Sequence, residues 1–249
     1  MAWHVTYSKV LPYIVKIKTP DGHGTGFFFA QNKTKTIVAV ATALHVIEDA
    51  DTWQKPIKVF HEFSGKELHL NDTDRAVLRY PGRDTAAIIF TRKELPFPDA
   101  TLPLMDKTFY KSVGWDLAWA GYPGICPSKV CLFQGSVSCF DTEEDYYLID
   151  GVAISGVSGG PVFARNKENG AELIGIVSEY WSRAGSTPGL LKAHDVSDLH
   201  DVVEKFKNID DAKTQAAEEK VPDSTSSQPE GHAQGGKPTH GVTPEPSKS

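Results

Sequence analysis

The chain has 249 residues, 40% of them hydrophobic and 23% charged, a composition that supports a sizeable buried core. Its formal charge is −6; four Lys against seven Asp and Glu leave −3 in residues 208–249 and therefore −3 in residues 1–207, so neither part offers the basic surface that nucleic acid or anionic lipid requires. No apolar run approaches the roughly 18 residues of a membrane span, and Met1-Ala2-Trp3-His4 lacks the basic-then-apolar pattern of a secretory leader, so a cytoplasmic location is expected.

Residues 1–182 read as short β runs between glycine, proline and charged turns. In chain order these are 10–18, 26–30, 36–43, 57–63, 67–70, 76–80, 86–90, 116–121, 130–139, 146–154, 160–164 and 173–180. A dozen short strands with no long amphipathic helix among them predict an all-β sandwich or barrel. Pro96, Pro98 and Pro103 interrupt any regular pattern near residues 95–112, which divides the strands into a group before about residue 95 and a group over about 112–182. Cys126, Cys131 and Cys139 are odd in number and closely spaced; they match neither a paired disulfide framework nor a zinc pattern and are expected to be free structural thiols. Val196, Leu199, Val202, Val203, Phe206 and Ile209 recur at threes and fours, predicting a helix over about 195–210 that packs on the second group of strands, with Asp195 or Ser197 as its N-cap. The stretch 208–249 holds the end of that helix and a polar tail. From about Val221 the chain has five prolines and four glycines but no Leu, Ile, Phe, Tyr or Trp, so disorder is expected.

The chemistry centres on Gly156-Val157-Ser158-Gly159-Gly160-Pro161, a serine in a glycine-bracketed turn whose amides can converge on a negatively charged oxygen. A serine hydroxyl becomes a useful nucleophile only when a neutral imidazole removes its proton, and His45 in Thr42-Ala43-Leu44-His45-Val46 is the candidate base. A carboxylate must hold that imidazole in one tautomer, a role open to Asp84 in Arg83-Asp84-Thr85-Ala86, with Asp74 as its nearest competitor. Gly156-x-Ser158-x-Gly160 also satisfies the α/β-hydrolase elbow. That fold, however, needs a helix directly after the serine and both partners downstream, whereas Pro161-Val162-Phe163-Ala164 reads as a strand.

Taken with Gly24-Thr25-Gly26-Phe27, Ala120-Gly121-Tyr122-Pro123, Gly135-Ser136-Val137-Ser138 and Gly175-Ile176-Val177-Ser178, these blocks run in the order found in trypsin-like (chymotrypsin-fold) serine proteases across roughly residues 10–182. The chain resembles that family, and most of all its short HtrA-type, bacterial trypsin-like peptidase domains. The resemblance implies two six-stranded antiparallel β-barrels within a peptidase domain of residues 1–207, a C-terminal α-helix, and a site at the seam between the barrels. It implies a serine endopeptidase acting on polypeptides without metal or cofactor, with His45 as base then acid, Asp84 orienting it, Ser158 attacking, and the Gly156 and Ser158 amides forming the oxyanion hole. By the same carry-over Ser178 supports the aspartate, the backbone of Ser178, Glu179 and Tyr180 pairs with an extended substrate, and Val152 at the pocket base, with Tyr180 narrowing it, favours small or apolar side chains over basic ones. Val157 stands where digestive relatives carry an aspartate that pairs with a freed amino terminus. It cannot make that pair, so no such zymogen switch is expected, and restraint falls to a mobile turn ordered by substrate or to an activating partner. A binding alternative keeps the fold and grips an extended peptide without turnover.

Overall fold

The computed structural model describes residues 2–107, 112–152, 154–166, 168, 170–181 and 189–218, apart from the side chains of 179–181 and 216–218; the tail over 221–249 lies outside these residues. In chain order the elements are α1 Trp3–Val10, β1 Ile14–Thr19, β2 Gly22–Gln31, β3 Ile37–Ala43, α2 Leu44–Thr52, β4 Ile57–His61, β5 Lys66–Leu70, β6 Arg75–Tyr80, β7 Thr85–Thr91, β8 Asp116–Gly121, β9 Cys131–Asp141, β10 Tyr146–Asp150, β11 Pro161–Ala164, β12 Glu172–Trp181, β13 Leu190–Asp195 and α3 Ser197–Glu218. The protein is thus mainly β, in two groups of antiparallel strands.

The second group is a closed six-stranded barrel, ordered β10-β13-β12-β11-β8-β9. The first, expected as another six-stranded barrel, is instead a seven-stranded half-barrel sheet ordered β5-β4-β1-β2-β3-β7-β6. One side chain ties its two ends together: the buried guanidinium of Arg75, at the start of β6, donates to the carbonyls of Leu70 (3.0 Å) at the end of β5, Lys55 (3.0 Å) and Ala50 (3.3 Å). Phe27, Phe28 and Phe29 are all buried because β2 is covered on both faces; Phe28 stacks between Tyr13 and Phe97, the latter at 4.7 Å between ring centres. Phe97 belongs to the proline-rich connector, which has no strand among its described residues but is stapled to the second barrel where Leu173 N–H donates to Pro103 and Met105 N–H to Leu173.

Four elements differ from the sequence reading, one of them α2 at Leu44–Thr52, a helix in a stretch where only strands and turns are expected. The segment ending at Val10 is a helix, since Thr6 and Val10, four apart, share its buried side and the strand begins only at Ile14. β13 was hidden because its run Leu190–Asp195 carries a lysine, a histidine and an aspartate among three apolar residues. The helix α3 packs against β2 and β7 of the first sheet rather than on the second barrel, burying Leu199, Val202 and Phe206 while Val203 and Ile209 face outward. Its start is held by Asp195, whose carboxylate accepts from the Ser197 N–H (2.9 Å) and hydroxyl and from Tyr147 Oη (2.9 Å).

Candidate functional site

β3 ends at Ala43 and the chain turns directly into α2, so His45 stands in the first turn of a helix, where backbone N–H groups have no intrahelical acceptor. Asp84 supplies two. Its carbonyl accepts from Leu44 N–H (2.9 Å) and its Oδ1 from His45 N–H (2.9 Å). The chain reaches this position through a short 3₁₀ turn at Pro81–Arg83 that leaves Asp84 at φ 43°, ψ 39°, a left-handed conformation that aspartate tolerates better than most side chains. Arg83, next to it, pairs with Asp145 (2.7 Å) and Asp198 (3.2 Å), fastening this turn to the second barrel and to α3.

The other carboxylate oxygen of Asp84 lies 2.7 Å from His45 Nδ1 and receives the Ser178 hydroxyl at 2.5 Å. Burial by itself would raise the Asp84 pKa, but the bonds from the His45 ring, the Ser178 hydroxyl and the His45 amide outweigh it and hold the carboxyl below its ordinary range. The imidazole is 47% exposed against 20% for the carboxylate, so the acid is sheltered while the ring reaches the surface. Asp74 takes no part: its carboxylate closes a capping box on Asn71.

Ser178 reaches Asp84 because of an irregularity in β12. Val177 pairs with Ala193 and Glu179 with Lys192, which leaves Ser178 as the extra residue of a bulge, and a bulge re-aims a side chain. β11 ceases to pair with β12 at Ile176, so from Ser178 onward β12 is paired through β13 alone among the described residues. Among the described residues this leaves an open strand edge beside the carboxylate. The side chains of Glu179 and Tyr180 lie outside the described part; Val152, in the bend after β10, is 58% exposed and faces solvent.

The serine turn is two β-turns in series. Val157 N–H donates to Ile154 O (3.0 Å) with Gly156 at φ 94°, and Gly160 N–H to Val157 O (2.9 Å) with Gly159 at φ 83°; each glycine occupies the third turn position, where a type II turn demands positive φ. Every carbonyl from 155 to 158 is pinned: Ser155 O accepts from Gly124 N–H (2.6 Å), Gly156 O from Thr25 Oγ1 (2.8 Å), Val157 O from Gly160, and Ser158 O from Thr25 N–H (2.8 Å). In a planar trans peptide the N–H points opposite to the C=O. Fixing Ser155 O and Val157 O therefore fixes the Gly156 and Ser158 N–H groups, and among the described residues neither of these donates to any acceptor. Val157 is buried beside Gly121, so an apolar contact anchors the turn.

The turn abuts the histidine segment. A Cβ on Gly159 would stand 2.2 Å from Thr42 Oγ1 and 2.8 Å from Ala43 N, two residues before His45. Asp84, His45 and Ser178 are joined by hydrogen bonds. Among the described residues no bond links the Ser158 hydroxyl to the ring, a contact that in ligand-free hydrolases often tightens only in the substrate complex.

Two residues were passed over in the sequence. His23 in β2 has a buried Nε2 2.8 Å from where a Cβ on Gly156 would stand; burial, and after it the charge of Lys16, lowers its pKa. Thr25 bonds twice to the serine turn. Its setting in Gly24-Thr25-Gly26 was the only available signal, and it does not reveal a partner more than a hundred residues away.

Among the described residues, no cluster of His, Cys, Asp and Glu is arranged to hold a metal, and no helix is long and apolar enough to cross a membrane. Residues 24–176 match the family described as the trypsin-like peptidase domain. Solved structures with the same fold include a serine endoprotease from Yersinia pestis (18% identity, TM-score 0.61, covering 83% of this chain and 66% of that one). Rv3671c of M. tuberculosis, in an inactive mutant form, aligns at 19% identity and TM-score 0.57, covering 82% and 90% of the two chains. Deg5 aligns at 18% and 0.57, covering 78% and 88%. The chain thus spans just under two thirds of the length of the Yersinia protein. No curated protein matches it in sequence.

Proposed function

The chain belongs to the trypsin-like peptidase family, and we propose that it is a serine endopeptidase working through His45, Asp84 and Ser158. The observation that carries this is the carboxylate of Asp84, bonded at once to the His45 ring, the His45 amide and the Ser178 hydroxyl. With Nδ1–H donated to Asp84, the neutral ring keeps Nε2 as its acceptor and base.

In the reaction, Nε2 takes the Ser158 proton as Oγ attacks the scissile carbonyl, and Asp84 stabilises the imidazolium that forms. The oxyanion is met by the Gly156 and Ser158 N–H groups, which are already oriented and unspent, so no reorganisation is required as charge develops. The imidazolium then protonates the leaving amine. Water, activated by the same ring, releases the acyl group from Ser158. An extended polypeptide adds to the open edge of β12 at Ser178, Glu179 and Tyr180, which provides affinity through main-chain bonds, while residues about Val152 set side-chain preference.

A second reading, peptide binding without turnover, draws on the edge of β12 from Ser178 onward, which among the described residues pairs with β13 alone. A fluorophosphonate probe separates the two. Labelling that disappears in Ser158→Ala is expected of the peptidase; folded wild-type protein that never labels, even with peptide bound, supports the binding role.

A further inference from the structure

We propose that Thr25 is a positioning residue for the oxyanion hole, its hydroxyl setting the orientation of the Gly156–Val157 peptide between the two donor amides; this rests on the peptidase reading above. The observation is a chain of buried bonds crossing from the first sheet to the second. Tyr122 N–H donates to Thr25 Oγ1 (3.0 Å), which donates to Gly156 O (2.8 Å); Thr25 N–H donates to Ser158 O (2.8 Å); and Thr42 Oγ1 donates to Thr25 O (2.7 Å).

The polarity of this chain is forced. A hydroxyl has one proton, and an N–H can only donate, so the Tyr122 amide occupies a lone pair of Oγ1 and directs the proton to Gly156 O. Thr25 is fully buried, and a Cβ on Gly121 would stand 2.6 Å from Oγ1, so the hydroxyl lies close against the backbone of β8. Of the four carbonyls that define the turn, Thr25 holds the second and the fourth, one by side chain and one by backbone. The first is held by Gly124, two residues beyond the Tyr122 amide that orients the hydroxyl. The threonine therefore coordinates both second-barrel loops that shape the hole, and it does so from β2 of the other sheet. Valine at 25 keeps the shape and the backbone bond but leaves Gly156 O and Tyr122 N–H without partners, and the Gly156–Val157 peptide is then free to rotate.

The test uses the full chain with T25V and T25S, two readouts and the wild type as reference. A mis-aimed donor loses part of what a deleted donor loses, so kcat and the rate of fluorophosphonate labelling are expected to fall about ten- to a hundredfold in T25V with KM within about threefold, while T25S stays within about threefold of wild type in both. Amide exchange of Val157 and Gly160, the two closing donors of the turn, is expected to accelerate at least about tenfold in T25V with β8 unchanged, since a local opening frees only local amides. T25V labelling and exchanging like wild type overturns the proposal. Wild type that never labels overturns the peptidase reading instead, and exchange then decides the role of Thr25 alone. If T25V does not fold, T25S decides: activity near wild type supports the hydroxyl, and a loss beyond about tenfold at unchanged melting temperature refutes it.

Discussion

Replacing Gly156 by alanine tests whether the serine turn is built around one peptide orientation. An ideal Cβ at this position would lie 2.4 Å from Tyr122 O and 2.8 Å from His23 Nε2. Carbon and oxygen ordinarily approach to about 3.3 Å, so the first contact is short by about 0.9 Å against a backbone atom that cannot step aside. Alanine at φ 94° adds a backbone penalty of about 1–2 kcal/mol. The cheapest relief is to turn the Ser155–Gly156 peptide over, which breaks the Gly124 bond to Ser155 O, worth about 1 kcal/mol, and removes the 156 N–H from the oxyanion. Stability is then expected to fall by about 2–4 kcal/mol, and kcat by a further hundredfold or more, the loss typical of one oxyanion donor. The assay is kcat and KM on a peptide found by cleavage-site profiling, with calorimetric melting of the same preparations. A folded G156A with kcat within about threefold of wild type would refute the orientation argument.

Asp84→Asn should lower kcat by about 10⁴-fold, because an amide can present an N–H where Nδ1–H needs an acceptor. It should also change the acid limb of stability. The native Asp84 pKa is depressed, so its contribution is complete above the unfolded value near 3.9 and is lost as pH falls through the lower native value. The melting-temperature gap between wild type and D84N should therefore narrow below about pH 4; a gap that widens there would contradict the assignment. Arg75→Met should reduce the melting temperature by roughly 10 °C, since three carbonyls lose a buried donor at about 1 kcal/mol or more each. A shift under about 2 °C would mean that the two ends of the first sheet hold without it.

What could be read in the sequence followed the reach of each interaction. Strands such as 116–121 were legible because alternation and bounding turns are local, and β8 spans those very residues. Gly156 and Gly159 were legible as turn formers because positive φ selects glycine within the motif itself. The bulge at Ser178 depends on the register of β13, a strand whose mixed polarity conceals it. Similarly, α3 was legible as a helix from its spacing, but its docking on the first sheet depends on where β13 delivers the chain and on the apolar surface waiting there. His23 and Thr25 sit among small and polar residues that carry no periodic signal; their importance comes from a loop folded against them from the other half of the chain.

Asp84 both faces His45 and starts the helix that carries it, whereas the Ser158 side chain supports no other group among the described residues. The two positions therefore carry unequal structural roles. A lineage that gave up cutting polypeptides would shed the hydroxyl readily, yet keep the aspartate and its imidazole as architecture. In a survey of homologues, position 158 is the place to look for surviving turnover, and the His–Asp pair is the place to look for a conserved scaffold.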